Sequence, residues 1–361
     1  MAYNCKQYTI WESGFDGYHT YRIPAIVVTN SGSILAFCEG RRNSKHDTGD
    51  IDMLVKRSQD NGLTWSDQSV IWSDLGNTCG NPCPVVDRET GIVWLLMTHN
   101  LGIDHESQII NGTSEGTRTV WVTASTDDGL TWHSPLEITK STKRIDWTWY
   151  ATGPGNGIQL SSGRLLIPCD HIEGSTKRYF SHVIYSDDHG QTWHMGGKTP
   201  KDQVNECCIA ELKNGDIILN TRNYARDFRT RQICISTDGG MTWGNQHYND
   251  ELIEPICQAA LIRSSSQTNQ LLFSNPASRV SRCNLTIRLS DENGLLWPHF
   301  RVLHPGPAAY SSLTILPDGT IGCLYECGES DPYETIMFAL FDLDWISDKK
   351  NTAGFGKNLS K

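Results

Sequence analysis

Short apolar or alternating runs recur along the chain, and none keeps the three-to-four spacing of a helix face. Ile51 to Arg57, Thr119 to Ala124, His182 to Tyr185, Gln232 to Ile235 and Leu285 to Leu289 all read as strands. Each run leads into the same eight-residue string, S-x-D-x-G-x-T-W. It is complete at Ser58–Trp65, Ser125–Trp132, Ser186–Trp193 and Ser236–Trp243. A worn copy follows at Ser290–Trp297, with Glu292 in place of Asp and Leu296 in place of Thr. In such a string Asp and Gly supply a turn with a relaxed φ, the Ser and Thr hydroxyls satisfy nearby backbone donors, and Trp buries a ring where the next strand begins. Each box therefore joins two antiparallel strands.

The box starts lie 50 to 67 residues apart. A repeat of that length with about four strands is one blade of a propeller. Five boxed units, and a sixth made from the two ends of the chain, predict an all-β, six-bladed β-propeller. No linker interrupts the pattern, so residues 1–346 are expected to form one domain and 347–361 a polar C-terminal tail. The boxes are read as turns, not as calcium loops, which need about six oxygen ligands and a distal acid.

Composition narrows the function. With 31 basic against 41 acidic residues the net charge is −10, which argues against nucleic acid as the main partner. The apolar runs, such as Ile92 to Met97, fall well short of the roughly 18 residues of a membrane helix. The first residues lack a basic segment followed by an apolar one, so a cytoplasmic location is expected, and a trimmed leader would make it lysosomal or secreted. The twelve cysteines are not spaced as zinc ligands and are expected to be free, mostly buried thiols. No metal or cofactor is expected. Gly112-Thr-Ser114-Glu-Gly116 spells the nucleophile string of serine hydrolases but lies in a polar loop, not at a strand-to-helix elbow.

A second set of strings is more specific. Tyr21-Arg22-Ile23-Pro24 precedes the first box. Then come Glu39-Gly40-Arg41, Asp47-Thr-Gly-Asp50, Asn81-Pro82-Cys83-Pro84, Asn205-Glu206-Cys207, Asn220-Thr-Arg222, Ser274-Asn-Pro-Ala277 leading to Arg282, and Ala309-Tyr310-Ser311. In this order they resemble the sialidase (neuraminidase) family over about residues 18 to 345, with the small single-domain animal-type and bacterial enzymes most similar.

The resemblance implies a site for sialic acid, a sugar with a carboxylate on its anomeric carbon. Arginine suits that group, because its planar fork meets a carboxylate with two hydrogen bonds. The motifs assign that role to Arg22, Arg222 and Arg282. Arg282 is preferred to Arg279 because Arg282-Cys-Asn-Leu-Thr-Ile-Arg288 fits the family pattern, which also leaves Arg288 as a strand residue. The implied nucleophile is Tyr310, with Glu206 as its base. A neutral phenol avoids the repulsion that a carboxylate would meet at an anionic sugar, and sialidases are the tyrosine exception among retaining glycosidases. Tyr325 is the competing tyrosine, in the strand that follows. Asp47, on a polar loop, is the implied acid/base, ahead of Asp50 and Asp52. Arg41, with Arg42 as its rival, Asn81 and Glu106 are implied to line the rest of the pocket. The chain departs from the cytosolic animal sialidases it resembles at Pro168-Cys169-Asp170-His171-Ile172, where they carry tyrosines after the Pro. Asp170 or His171 is therefore expected to rebuild part of the pocket.

Two functions follow. One is a retaining exo-α-sialidase acting on sialylated oligosaccharides, glycoproteins or glycolipids, with a trans-sialidase as its variant. The other is a sialic-acid-binding propeller without turnover. The presence of Asp47, Tyr310 and Glu206 together favours the enzyme.

Overall fold

The computed structural model describes residues 5–264, 270–291 and 294–347. They form 24 strands and three helices of at most six residues, so the protein is all-β. The expected tail lies outside the described residues except for Ser347, which ends the helix Leu343–Ser347, and so does Glu292 of the worn box.

The strands follow one another as antiparallel meanders. Thr20–Val28, Ile34–Arg41, Ile51–Ser58 and Ser69–Trp72 pair in chain order. Thr78–Val86, Val93–Asn100, Thr119–Ser125 and Leu136–Glu137 repeat the arrangement. Trp147–Thr152, Leu165–Glu173, Tyr179–Ser186 and His194–Lys198 do so again, as do Val204–Glu211, Ile217–Asn223, Thr230–Ser236 and His247–Ile253. Ala260–Arg263, Leu271–Pro276 and Cys283–Leu289 then pair with the first part of the long strand His299–Ile315. The second part of that strand pairs with Ile321–Cys327, then Thr335–Phe341, and finally with the N-terminal strand Lys6–Glu12. The two ends of the chain thus share one sheet, as the repeat spacing predicts.

Burial grades across each meander. First strands such as Thr20–Val28 and Thr78–Val86 are buried almost throughout, whereas the fourth strands Ser69–Trp72 and His194–Lys198 are exposed or only half-buried. The apolar core is accordingly a series of seams. Phe37 and Met53 pack with Leu95 and Met97, Leu166 with Ile209 and Leu219, and Ile218 with Leu261 and Phe273. The last meander closes on the first, where Leu324 and Phe338 meet Ile26 and Ala36.

The boxes follow the third strands. In the second box Ser125 Oγ donates to Asp127 Oδ1 at 2.8 Å and accepts from the Gly129 amide at 2.8 Å. Asp127 also takes the Thr131 amide at 2.8 Å and the Thr131 hydroxyl at 2.5 Å. The pattern is repeated around Asp60, Asp188 and Asp238. A Cβ on Gly129 would come within 2.5 Å of Leu35 in the preceding meander, and one on Gly190 within 2.2 Å of Trp94. The box glycine is therefore required both by its positive φ, 81° at Gly129, and by close packing between meanders. These turns sit at the end of the third strand away from Asp47, Glu106 and Arg118. At about 3.3 Å per residue, a strand of this length separates the two ends by some 20 Å.

Candidate active site

One backbone device recurs where the expected site residues lie. Register slips by one residue between Arg22 and Ala25, between Gly80 and Cys83, between Val204 and Cys207, and between Ala308 and Ser311. Each slip is a β-bulge in the strand that opens a meander, and bulges re-aim side chains. The bulged pairs are Ile23-Pro24, Asn81-Pro82, Asn205-Glu206 and Ala309-Tyr310. Ile23 and Asn81 hold φ of 61° and 56°, the left-handed region that a β-branched residue such as isoleucine rarely enters. Strain of this kind persists only where the surroundings enforce it.

Together these strands line a cleft of about 120 Å³ that contains every residue assigned to the site: Arg22, Arg41, Asp47, Asn81, Glu206, Arg222, Arg282 and Tyr310 from the motifs, and Glu106 from its distance to Asn81. At its floor the Tyr310 hydroxyl donates to Glu206 Oε1 at 2.5 Å. Arg222 Nη1 donates to the other oxygen, Oε2, at 2.5 Å and to the Tyr310 oxygen at 3.0 Å. Burial and then the Glu206 charge push the Tyr310 phenol well above its usual range, so it stays protonated until a base takes the proton.

Arg22 is buried and held by Glu326, which accepts from Arg22 Nε at 2.8 Å and from the amides of Ile23 at 2.8 Å and Tyr310 at 3.0 Å. A buried carboxylate with this many donors is well compensated, and it couples the backbone of Tyr310 to that of Ile23 and to the Arg22 guanidinium. Arg282 lies above the same tyrosine, its guanidinium 5.5 Å from the ring centroid. Arg41 is held by Glu39 at 2.6 Å, and the same carboxylate accepts the Asn81 amide at 2.8 Å. Asp47 hangs over the cleft from its loop with its side chain 58% exposed, 2.7 Å from Arg41 and 3.6 Å from Arg22. Partial desolvation pushes its pKa up, but Arg41 and Arg22 outweigh that and hold it at about 2.

The competing residues lie elsewhere. Tyr325 is buried in the next strand and donates to Gln7 at 2.7 Å. Arg42 pairs with Asp52 and Asp50. Arg279 is exposed and donates to the Arg229 carbonyl, and Arg288 packs on Phe300. The alternatives for the rebuilt pocket divide. Asp170 lines the cleft, but His171 is turned away from it, stacked on Trp147 at 3.4 Å and bonded to His182 at 3.0 Å. Its position follows from strand alternation, which sends neighbours to opposite faces. Ser114 lies in the loop after a short helix and donates to the Gly116 carbonyl at 2.6 Å, with no sign of a nucleophile elbow.

Sequence reasoning missed Arg118, Trp149, Tyr224 and Glu326. Arg118 donates to Asn81 Oδ1 at 2.6 Å and lies 4.0 Å over Trp149, and Arg222 donates to the Tyr224 hydroxyl at 3.0 Å. Glu326 did leave a signal, as a lone carboxylate inside an otherwise apolar strand. Arg118, in a polar loop, left none.

The chain is similar to known proteins over most of its length. The model of the BNR repeat-like domain matches residues 32–323. A sialidase of Micromonospora viridifaciens is 35% identical, covering 92% of this chain and 53% of its own length. An exo-alpha-sialidase of Arthroderma benhamiae is 31% identical, covering 93% of this chain and 86% of its own. The solved structure of the Hadza microbial sialidase Hz136 superimposes with a TM-score of 0.86 at 32% identity, over 94% of this chain and 69% of that one. The chain spans about half the length of the Micromonospora protein. It belongs to the sialidase family of glycoside hydrolases.

Proposed function

We propose that this chain is a retaining exo-α-sialidase built as a six-bladed propeller, with one meander per blade. It removes terminal sialic acid from oligosaccharides, glycoproteins or glycolipids. The observation that carries this reading is the Tyr310–Glu206 hydrogen bond in a cleft that also holds Arg22, Arg222 and Arg282. The arginines bind the sugar carboxylate. As it engages Arg22, Asp47 loses part of the field that keeps it ionised, and its pKa rises towards the range of a general acid. Tyr310 attacks the anomeric carbon while its proton passes to Glu206, and Asp47 protonates the departing glycosidic oxygen. In the second half Asp47 takes a proton from water, water displaces the tyrosine, and Glu206 returns the proton to the phenolate. Glu106, Asn81 and Arg41 bind the remainder of the sugar.

The test is hydrolysis of a fluorogenic sialoside, with its deaminated analogue run alongside, while the anomeric product is followed by proton NMR. The α-anomer should appear first. Absence of turnover, or β-anomer first, would overturn the proposal.

A further inference from the structure

The arginines have a common support that is absent from the cleft lining. The loop from Gly328 to Glu334 follows the strand Ile321–Cys327 and is built around the Glu334 carboxylate. That carboxylate accepts the amides of Glu329 at 2.8 Å, Ser330 at 3.0 Å and Asp331 at 2.9 Å, and the Ser330 hydroxyl at 2.6 Å. Ser13 fastens the loop to the rest of the protein. Its amide donates to the Glu334 carbonyl at 2.9 Å and its hydroxyl to the Tyr333 carbonyl at 2.7 Å. Lys45, two residues before Asp47, pairs with Asp331 at 2.8 Å.

This framework presents Tyr333 behind the arginines. The Arg22 guanidinium lies 3.9 Å from the centroid of its ring. The Tyr333 hydroxyl accepts from Arg282 Nη1 at 2.7 Å. Arg22 has Glu326 as a charged partner. Arg282 has no comparable anchor: its other hydrogen bond, to the Ile256 carbonyl, is 3.4 Å long, and no carboxylate among the described residues pairs with it. An arginine without a fixed partner must lose its rotamer freedom when it binds, whereas a pre-oriented one does not.

We propose that Tyr333 is a positioning residue that fixes Arg22 and Arg282 in the orientation that receives the substrate carboxylate. The inference rests on the sialidase reading. The ring face supports one guanidinium by cation–π attraction and the phenol oxygen orients the other, so one side chain sets the spacing between two cations. Tyr333 itself is not among the residues lining the cleft.

Two inhibitors separate this role from a general structural one. These are the 2,3-unsaturated analogue of sialic acid, which carries the carboxylate, and its methyl ester, which lacks the charge. Tyr333→Phe keeps the ring and removes the acceptor. It should weaken inhibition by the carboxylate form about five- to tenfold, raise KM in step, leave kcat within about twofold and leave inhibition by the ester unchanged. Glu334→Gln, which loosens the loop from outside the cleft, should produce the same selective pattern more weakly. In Arg282→Ala, adding Tyr333→Phe should cost nothing further, because the interaction it serves is already gone. Equal weakening of both inhibitors, no weakening in Tyr333→Phe, or full additivity with Arg282→Ala would overturn the proposal. Should the unchanged protein neither hydrolyse a sialoside nor bind the carboxylate inhibitor, the sialidase reading itself fails, which is a separate outcome.

Discussion

Tyr310 meets two opposed demands. In the proposed mechanism it stays neutral when an anionic sugar approaches and becomes a nucleophile at the moment of attack. Burial and the neighbouring Glu206 meet the first, and the 2.5 Å hydrogen bond to Glu206 prepares the second. Tyr310→Phe should lower kcat by about 10²–10⁴-fold while the carboxylate inhibitor still binds, because the arginines are untouched. A variant with near-normal kcat would remove Tyr310 from the mechanism. Asp47 is held at about 2 in the ligand-free protein, so the acid role proposed for it depends on the substrate relieving Arg22. Asp47→Asn should slow sialosides of poor leaving groups about 10²–10⁴-fold, spare activated aryl sialosides much more, and abolish the alkaline limb of the kcat profile. Equal losses on both substrates would mean that Asp47 does not protonate the leaving group. Arg282→Ala should raise KM at least tenfold, whereas Arg279→Ala, exposed outside the cleft, should leave it unchanged. The reverse result would move the assignment by three residues.

At the scale of the element, box and bulge divide the work. The box is a stability device. Its Asp is used up by hydrogen bonds within the turn, and its Gly packs on the preceding meander. Asp127→Ala should cost about 1–3 kcal/mol, and Gly129→Ala at least as much, read as lower melting temperatures with unchanged KM. A changed KM would tie the boxes to the site. The boxes were legible in the sequence because each is local, with every partner within eight residues. The bulges were not. They depend on pairing between strands, and nothing in Tyr21-Arg22-Ile23-Pro24 announces that Ile23 adopts a positive φ. The motifs gave the positions of eight of the nine assigned residues, and Glu106 was placed by its distance from Asn81. The residues that hold them, such as Glu326 for Arg22 and Arg118 for Asn81, are distant in sequence and had no motif to mark them. Asp170 and His171 show the same limit, since which neighbour faces the cleft depends on register.

Across the whole molecule, seams between sheets carry both stability and function, and one seam has a cost in acid. His171 and His182 are buried between Trp147, Tyr150 and Phe180, and burial lowers both, His182 to about 3. Their folded pKa values lie below that of the unfolded chain, near 6.5, so their contribution is complete above that value and is lost as pH falls towards 3. Asp170, which burial raises well above its usual range, opposes this with one proton against two. The melting temperature should therefore fall between pH 7 and pH 5, and a His171→Gln/His182→Gln double variant should show a shallower fall. An unchanged slope would remove the pair as its cause. The proposed catalysis also spans the molecule: Arg22, Glu206, Arg222, Arg282 and Tyr310, drawn from four meanders, converge to make one tyrosine the proposed covalent catalyst. The most direct measurement is mass spectrometry of the protein after reaction with a 2,3-difluorinated sialosyl donor, whose intermediate breaks down slowly. The account predicts one sialosyl adduct, on the peptide containing Tyr310 and absent from Tyr310→Phe; an adduct on Tyr325, or turnover of the donor by Tyr310→Phe at the normal rate, would contradict it.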